Sequence, residues 1–213
     1  MAFEPLPKKA EYPHSSTVNS NPHNSIALLG TSADPPTTGH KALLIGLSKL
    51  FPKVITWASD NPDKEHQTSL VQRYELLRTL VEAIELPNLE LRQELSSKWA
   101  ITTLNLANKL WPKSNLVLII GSDLVKDLPK WFKAKSILTT ANLGIVPRQG
   151  WPLKDAELQL IKDMGGKANI LPLKVPNTAS SRIHSQPTLA QIPKAILPIL
   201  REKNLYGISQ QLK

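Results

Sequence analysis

Short apolar runs alternate with longer stretches of helical periodicity along most of this chain, and that alternation restricts the fold more than any other feature. Ser25-Ile26-Ala27-Leu28-Leu29-Gly30 has the length of a buried strand and ends in glycine. From Gly39 onward Leu43, Leu44, Leu47 and Leu50 recur at helical spacing. Val54-Ile55-Thr56-Trp57 reads as the next strand. Leu70, Tyr74, Leu77, Val81 and Ile84 read as the inner side of the next helix, after the caps Thr68 and Ser69. A helix from about Ser97 to Leu110 leads to the strand Leu116-Val117-Leu118-Ile119-Ile120. The strand Leu143-Gly144-Ile145-Val146, a helical stretch from Leu153 to Met164, the short strand Ile170-Leu171 and two helical segments between Ser181 and Asn204 complete the pattern. Such alternation predicts βαβ units and an α/β, Rossmann-like open parallel sheet with helices on both faces.

Residues 1–24 are rich in Pro, Ser, Asn and His and hold little that could be buried, so they are expected to form a flexible tail. Residues 25–213 then make a single domain. The chain has no cysteine, which excludes disulfides, thiolate metal sites and a cysteine nucleophile. The N-terminus carries no basic segment followed by an apolar one, and no run is long enough to cross a bilayer, so a cytoplasmic protein with no membrane partner is expected. Lys and Arg number 26 against 17 Asp and Glu, giving a formal charge of +9 that favours polyanionic partners. Only Lys126, Lys130, Lys133 and Lys135 cluster. With only Trp131 and Phe132 nearby for stacking, a solvated basic face is the better reading there and nucleic acid is disfavoured. Oligomeric state is left open, a homo-oligomer included.

In an open parallel sheet, ligands bind beyond the carboxyl ends of the strands. The segment after the first strand is Gly30-Thr31-Ser32-Ala33-Asp34-Pro35-Pro36-Thr37-Thr38-Gly39-His40. Its small residues allow backbone amides to approach an anion, and His40 falls in the first turn of the following helix, where an imidazole can meet phosphate oxygens. The equally available reading is a turn with a surface histidine. Neither the P-loop spacing nor G-x-G-x-x-G is present. His14, His23 and His66 have no metal-ligand spacing and are assigned to the surface or the tail.

Taken together, these segments resemble the nucleotidylyltransferase superfamily with the H/T-x-G-H signature, here Thr37-Thr38-Gly39-His40. Later segments are similar to its nicotinate-nucleotide adenylyltransferase branch. Ser59-Asp60-Asn61-Pro62-Asp63-Lys64 matches an Asn-Pro-x-Lys loop, Arg73 falls where the next helix carries an arginine, and Ser97-Lys98-Trp99-Ala100-Ile101-Thr102-Thr103-Leu104 matches a Ser-Tyr-Thr-x-Asp-Thr-Leu stretch. Ile120-Gly121-Ser122-Asp123 with Leu128-Pro129-Lys130-Trp131 matches a Gly-x-Asp and Pro-x-Trp pair, and Pro147-Arg148-Gln149-Gly150 an Arg-x-Gly turn. The resemblance implies a nucleotidylyltransferase-type fold that transfers AMP from ATP to nicotinic acid mononucleotide and releases pyrophosphate, with Mg²⁺ arriving with the ATP. It implies His40 and Thr37 as catalytic residues, and Gly30, Ser32, Gly39, His40, Gly121, Asp123, Ser180, Ser181 and His184 around the ATP. Lys64, Thr103, Trp131, Phe132 and Arg148 would surround the mononucleotide. Two other readings stay open: a catalytically weakened nucleotide-binding relative acting as sensor or partner subunit, and another adenylyltransferase of the superfamily, such as a pantetheine-phosphate adenylyltransferase.

Two positions depart from the branch. Thr37 stands where a histidine is usual, and its hydroxyl can still bond a phosphate oxygen. Near the C-terminus the branch carries Ile-Ser-Ser-Thr-x-Ile-Arg, matched here by Thr178-Ala179-Ser180-Ser181-Arg182-Ile183-His184. Ala179 replaces the first serine and His184 the arginine. Arg182 is two residues away, about 200° round a helix, and so cannot substitute directly. Losing one charge-assisted contact weakens phosphate binding by about 1–3 kcal/mol. His184→Arg is therefore expected to tighten ATP binding by an amount in that range, measured by calorimetry; an unchanged affinity would show that position 184 does not stand in for the arginine.

Overall fold

The computed structural model describes residues 24–61, 64–176, 178, 180–185 and 188–212. The expected N-terminal tail lies, but for Asn24, outside these residues. Asn24 itself is held at the sheet's lower edge, where its side chain accepts from the Ser114 hydroxyl at 3.1 Å. The elements run β1 (Ser25–Thr31), α1 (Thr38–Leu50), β2 (Lys53–Ala58), α2 (Leu70–Glu82), β3 (Leu89–Leu91), α3 (Ala100–Leu110), β4 (Asn115–Gly121), α4 (Ala134–Thr140), β5 (Asn142–Val146), α5 (Asp155–Asp163), β6 (Ala168–Ile170), α6 (Ser180–Ser185) and α7 (Leu197–Glu202). The strands form one six-stranded sheet in the order β3-β2-β1-β4-β5-β6, every pairing parallel. This is the α/β arrangement the alternation predicts. Among the described residues no helix is long and apolar enough to cross a membrane.

Two cores sandwich the sheet, and the two-residue period of the strands divides them. Ala27, Leu29, Val117 and Ile119 face one side, with Leu43, Leu44 and Leu47 of α1 and Leu76, Leu77 and Leu80 of α2. Ile26, Leu28, Leu116, Leu118 and Ile120 face the other, with Leu104 of α3, Ile137 of α4 and Ile161 of α5. Ile192, Ile196, Leu200 and Ile208 bring the C-terminal segments back onto the first core. Because β1 is flanked by β2 on one side and β4 on the other, the order in which strands are added reverses between β1 and β4. In open parallel sheets a ligand site is expected at such a switch point.

The structure corrects several local readings. β3 and α4 carry no periodic signal: β3 has three residues, and α4 begins from Lys133 in a left-handed conformation (φ 55°) within what reads as a solvated basic run. α3 starts at Ala100 rather than Ser97, because the Ser97 hydroxyl accepts from the Trp99 amide at 3.4 Å in a turn before the helix. Leu50 at the end of α1 is exposed rather than inward. The buried line of α2 is Arg73, Leu76, Leu77 and Leu80, turned from the expected Leu70–Tyr74–Leu77–Val81 face.

That turn of α2 follows from Arg73. Its side chain is 2% exposed, and Nη1 donates to the Ser32 carbonyl at 2.9 Å and the Ser59 carbonyl at 2.7 Å. One guanidinium thus ties together the loops that follow β1 and β2, and burial lowers its pKa from the usual value. Replacing Arg73 by Met fills similar volume but leaves two carbonyls without their donor. We expect a loss of about 2–4 kcal/mol of unfolding free energy in urea titrations; a loss below about 0.5 kcal/mol would show that those carbonyls find other donors.

Candidate active site

The loop after β1 ends in an interlocked helix start. Thr37 is the N-cap of α1, and its Oγ1 accepts from the His40 amide at 3.3 Å. The Thr37 amide donates to His40 Nδ1 at 3.0 Å, so Nδ1 carries the lone pair and the neutral ring holds its proton on Nε2. The Thr37 hydroxyl also lies 2.8 Å from Nδ1 and donates to the Thr178 carbonyl at 3.1 Å. The Thr178 hydroxyl accepts from the Gly39 amide at 2.8 Å. A Cβ on residue 39 would stand 2.4 Å from that hydroxyl and 3.0 Å from the Pro176 carbonyl, so glycine is what lets the C-terminal loop seat on the first turn. Burial, with the neighbouring cations Arg148 and Lys64, lowers the His40 pKa from 6.5 to about 4.

Asp34 anchors the middle of the same loop. It is buried, and its carboxylate accepts from the Gln67 amide at 2.8 Å, the Thr68 hydroxyl at 2.8 Å and the Tyr206 hydroxyl at 2.5 Å. Its backbone carbonyl accepts from His184 Nε2 at 2.5 Å, and the Ser180 hydroxyl donates to the neighbouring Pro35 carbonyl at 2.9 Å. α6 is thereby joined to the loop after β1. Ala179 lies outside the described residues, as do the side chains of Ser181 and Arg182, so the readings placed on them have no structural counterpart here. Ser32 takes part through its carbonyl, as the acceptor of Arg73.

The carboxyl ends of β4 and β5 carry a second charged group. Arg148 Nε lies 3.2 Å from Asp123 Oδ1, and its Nη1 donates to Oδ2 at 3.3 Å. A Cβ on residue 121 would stand 2.2 Å from Asp123 Oδ1 and 2.6 Å from Arg148 Nε, so Gly121 makes room for this pair. Ser122 fixes the β5 turn by accepting from the Arg148 amide at 2.9 Å and donating to the Trp151 carbonyl at 2.8 Å. Asp123 caps no helix.

The aromatic rim differs from the sequence reading. Trp131 is half-buried against the second core. Phe132 is 49% exposed and stacks on Trp99, 38% exposed, with ring centroids 4.9 Å apart and planes tilted by 39°. Trp99 was not assigned a role from the sequence. Neither the helix start at Ala100 nor the strand before it is marked in the sequence, so no local signal singles Trp99 out. Thr103 does not reach the rim: it is buried, and its hydroxyl donates to the Leu95 carbonyl at 2.7 Å. Gly30 is filled from its own sheet, since a Cβ there would meet the Trp57 ring at 2.8 Å. Lys64 is exposed, on the His40 side. In the basic cluster, Lys130 pairs with Asp127 at 2.8 Å, Lys126 lies over the Trp151 ring at 4.5 Å and Lys133 over the Phe132 ring at 5.5 Å. His66 is half-buried rather than on the open surface, and burial with nearby Arg73 lowers its pKa.

An open parallel sheet with a Gly-His helix start after its first strand, and a glycine-aspartate pair at the far side of the switch point, defines a nucleotidyl-transferring α/β enzyme. The model of the cytidylyltransferase-like family matches residues 28–201. A protein of Synechocystis sp., described as a probable nicotinate-nucleotide adenylyltransferase, is 35% identical over 151 residues, which cover 66% of this chain and 76% of that one. A protein of Gemmatimonas aurantiaca with the same description is 28% identical over 200 residues, 85% of this chain and 92% of that one. A structure of Plasmodium falciparum nicotinic acid mononucleotide adenylyltransferase complexed with NaAD shares the fold, with a TM-score of 0.70 at 16% identity over 89% of this chain and 100% of that one. The chain belongs to the cytidylyltransferase-like family, on its nicotinate-nucleotide adenylyltransferase branch.

The His40 geometry fixes both a tautomer and a pH range. Long-range proton–nitrogen NMR correlations at pH 7 are expected to show a neutral His40 protonated on Nε2, with a titration midpoint near 4. The folded chain resists a proton that the unfolded imidazole takes up near 6.5, so this residue lowers stability as pH falls from about 6.5 to about 4 and has no effect above that window. A midpoint above 6, or a proton on Nδ1, would remove the Thr37 lock.

Proposed function

We propose that this chain joins nicotinic acid mononucleotide to the AMP part of ATP, with residues 25–213 acting as one nucleotidylyltransferase domain and the cytoplasm as its compartment. An oxygen of the mononucleotide's 5′-phosphate attacks the α-phosphorus of ATP, the bond to the β-phosphate oxygen breaks, and pyrophosphate leaves. Both reactants already hold the nucleophile and the electrophile, so the protein's task is alignment and neutralisation of growing negative charge. The observation that supports this most is the His40 ring: Nδ1 is taken by Thr37, which leaves Nε2–H as the donor for phosphate oxygens. Bound phosphate offsets the burial that disfavours the imidazolium, so the residue can carry charge during transfer.

Lys64 and Arg148, the cations felt by His40, complete the phosphate side. Asp123 over Gly121 suits a ribose diol, which would share the carboxylate with Arg148. The exposed Phe132–Trp99 pair suits a flat pyridine ring better than the half-buried Trp131 does. Side chains placed around the phosphates are cationic or neutral, namely His40, Thr37, Lys64 and Arg148. These side chains offer no carboxylate ligand to a metal, so a magnesium ion would come bound to ATP and would supply charge shielding for the pyrophosphate, while His40, Lys64 and Arg148 meet the remaining oxygens.

Incubation with ATP, Mg²⁺ and either nicotinic acid mononucleotide, nicotinamide mononucleotide or phosphopantetheine, with pyrophosphate followed, tests the reading. Release with the first acceptor is expected, and nucleotide binding without release would identify a binding protein instead. His40→Ala is expected to lower kcat about 100-fold or more with little change in melting temperature; a drop below tenfold would exclude His40 from the transfer step.

A further inference from the structure

Tyr206 lies beyond residues 28–201, the part matched by the family model, yet it reaches the loop that carries His40. Its hydroxyl donates to Asp34 Oδ1 at 2.5 Å and lies 2.8 Å from the Thr68 hydroxyl. Its ring stacks on His184, with centroids 5.7 Å apart and planes within 9°. Burial and the Asp34 hydrogen bond raise the Tyr206 pKa, so the phenol keeps the proton it donates. The backbone at Tyr206 is left-handed, φ 55° and ψ 24°, which is costly for a non-glycine residue and persists where its surroundings fix it. Here the ring and the hydroxyl are both engaged.

His184 occupies the position of the branch's arginine, and its Nε2 donates to the Asp34 carbonyl. Nε2 is thus engaged with the loop, so a phosphate contact through this ring falls to Nδ1, which donates only when both ring nitrogens carry protons. Asp34 receives Tyr206 on its carboxylate and His184 on its carbonyl, so all three groups are mutually restrained.

We infer that Tyr206 and His184 work as one unit in place of the missing arginine: His184 contacts the ATP phosphates, and Tyr206 is the positioning residue that holds its ring by stacking and holds Asp34 by hydrogen bonding. A flexible arginine reaches a phosphate through its own length, whereas a short imidazole must be set in place, and the tyrosine beyond the segment matched by the family model does so. The inference rests on the adenylyl-transfer reading and adds a residue outside the family's motifs.

The test is a double-mutant cycle on the full chain, with steady-state kinetics and melting temperatures. Tyr206→Leu, which removes both stack and hydroxyl, is expected to raise the KM for ATP about tenfold and leave that for nicotinic acid mononucleotide within twofold. His184→Ala should do the same. In the His184→Ala background, Tyr206→Leu should add less than twofold. Full multiplication of the two effects, an equal rise in both KM values, or no rise for ATP would each overturn the inference and leave Tyr206 a packing residue. Should Tyr206→Leu fail to fold, Tyr206→Phe keeps the ring and removes the hydroxyl: a rise in the ATP KM that vanishes in the His184→Ala background supports the unit, and one that persists there refutes it. Should the wild-type chain release no pyrophosphate with any acceptor, the transfer reading fails separately. The same cycle is then read by calorimetric titration with ATP alone, where equal, non-additive losses of affinity support the unit, and additive losses or no binding refute it.

Discussion

A single buried carboxylate organises the chemical end of this molecule. An unpaired carboxylate in an apolar interior is strongly disfavoured, so the Asp34 side chain is stable there only while its donors are in place. Those donors come from the Gln67 amide, the Thr68 hydroxyl before α2 and the Tyr206 hydroxyl near the C-terminus. Arg73, buried nearby, draws the loops after β1 and β2 together through their carbonyls. The loop that carries His40, six residues after Asp34, is thus braced by segments distant from it in sequence.

The sheet supplies the other half of the arrangement by its topology. With β1 and β4 adjacent but their connections running to opposite sides, the loop after β1 and the turn after β4 open onto one crevice without any irregular strand. Each half brings its own glycine, and each glycine is explained by a close approach. Gly39 admits the Thr178 hydroxyl, and Gly121 admits the Asp123–Arg148 pair. The net charge of +9 favours polyanionic partners at long range, while Lys64 and Arg148 act at short range on the His40 ring.

The sheet was legible in the sequence because β1, β2, β4 and β5 are apolar runs with glycine or turn residues at their ends, and burial on both faces demands that pattern. β3 and α4 were not, since three residues carry no period and a helix that starts at a left-handed lysine carries no cap signal. At the candidate site, His40, Thr37, Gly39, Gly121, Asp123 and Arg148 could be named only through the resemblance of their motifs to a known family. Their partnerships could not. That Asp123 meets Arg148, that Arg73 faces inward to carbonyls, and that the exposed stacking ring is Phe132 with Trp99 instead of Trp131 depend on side-chain directions that a linear pattern does not encode. Tyr206 was invisible for a different reason. It stands alone in a C-terminal segment with no motif around it.

The contacts that brace the loop after β1 join residues very far apart along the chain: 139 between Gly39 and Thr178, and 172 between Asp34 and Tyr206. The first two strands of a nascent polypeptide can pair early, but the helix start that presents His40 lacks its bracing until Thr178 and Tyr206 have been made. A polypeptide cut before that tyrosine would keep its strands and its second core while losing Ile208 from the first core and a clamp on the loop that carries His40. Bracing of the loop that carries His40 is in this sense a long-range property, gained only after the more local pairings of the sheet.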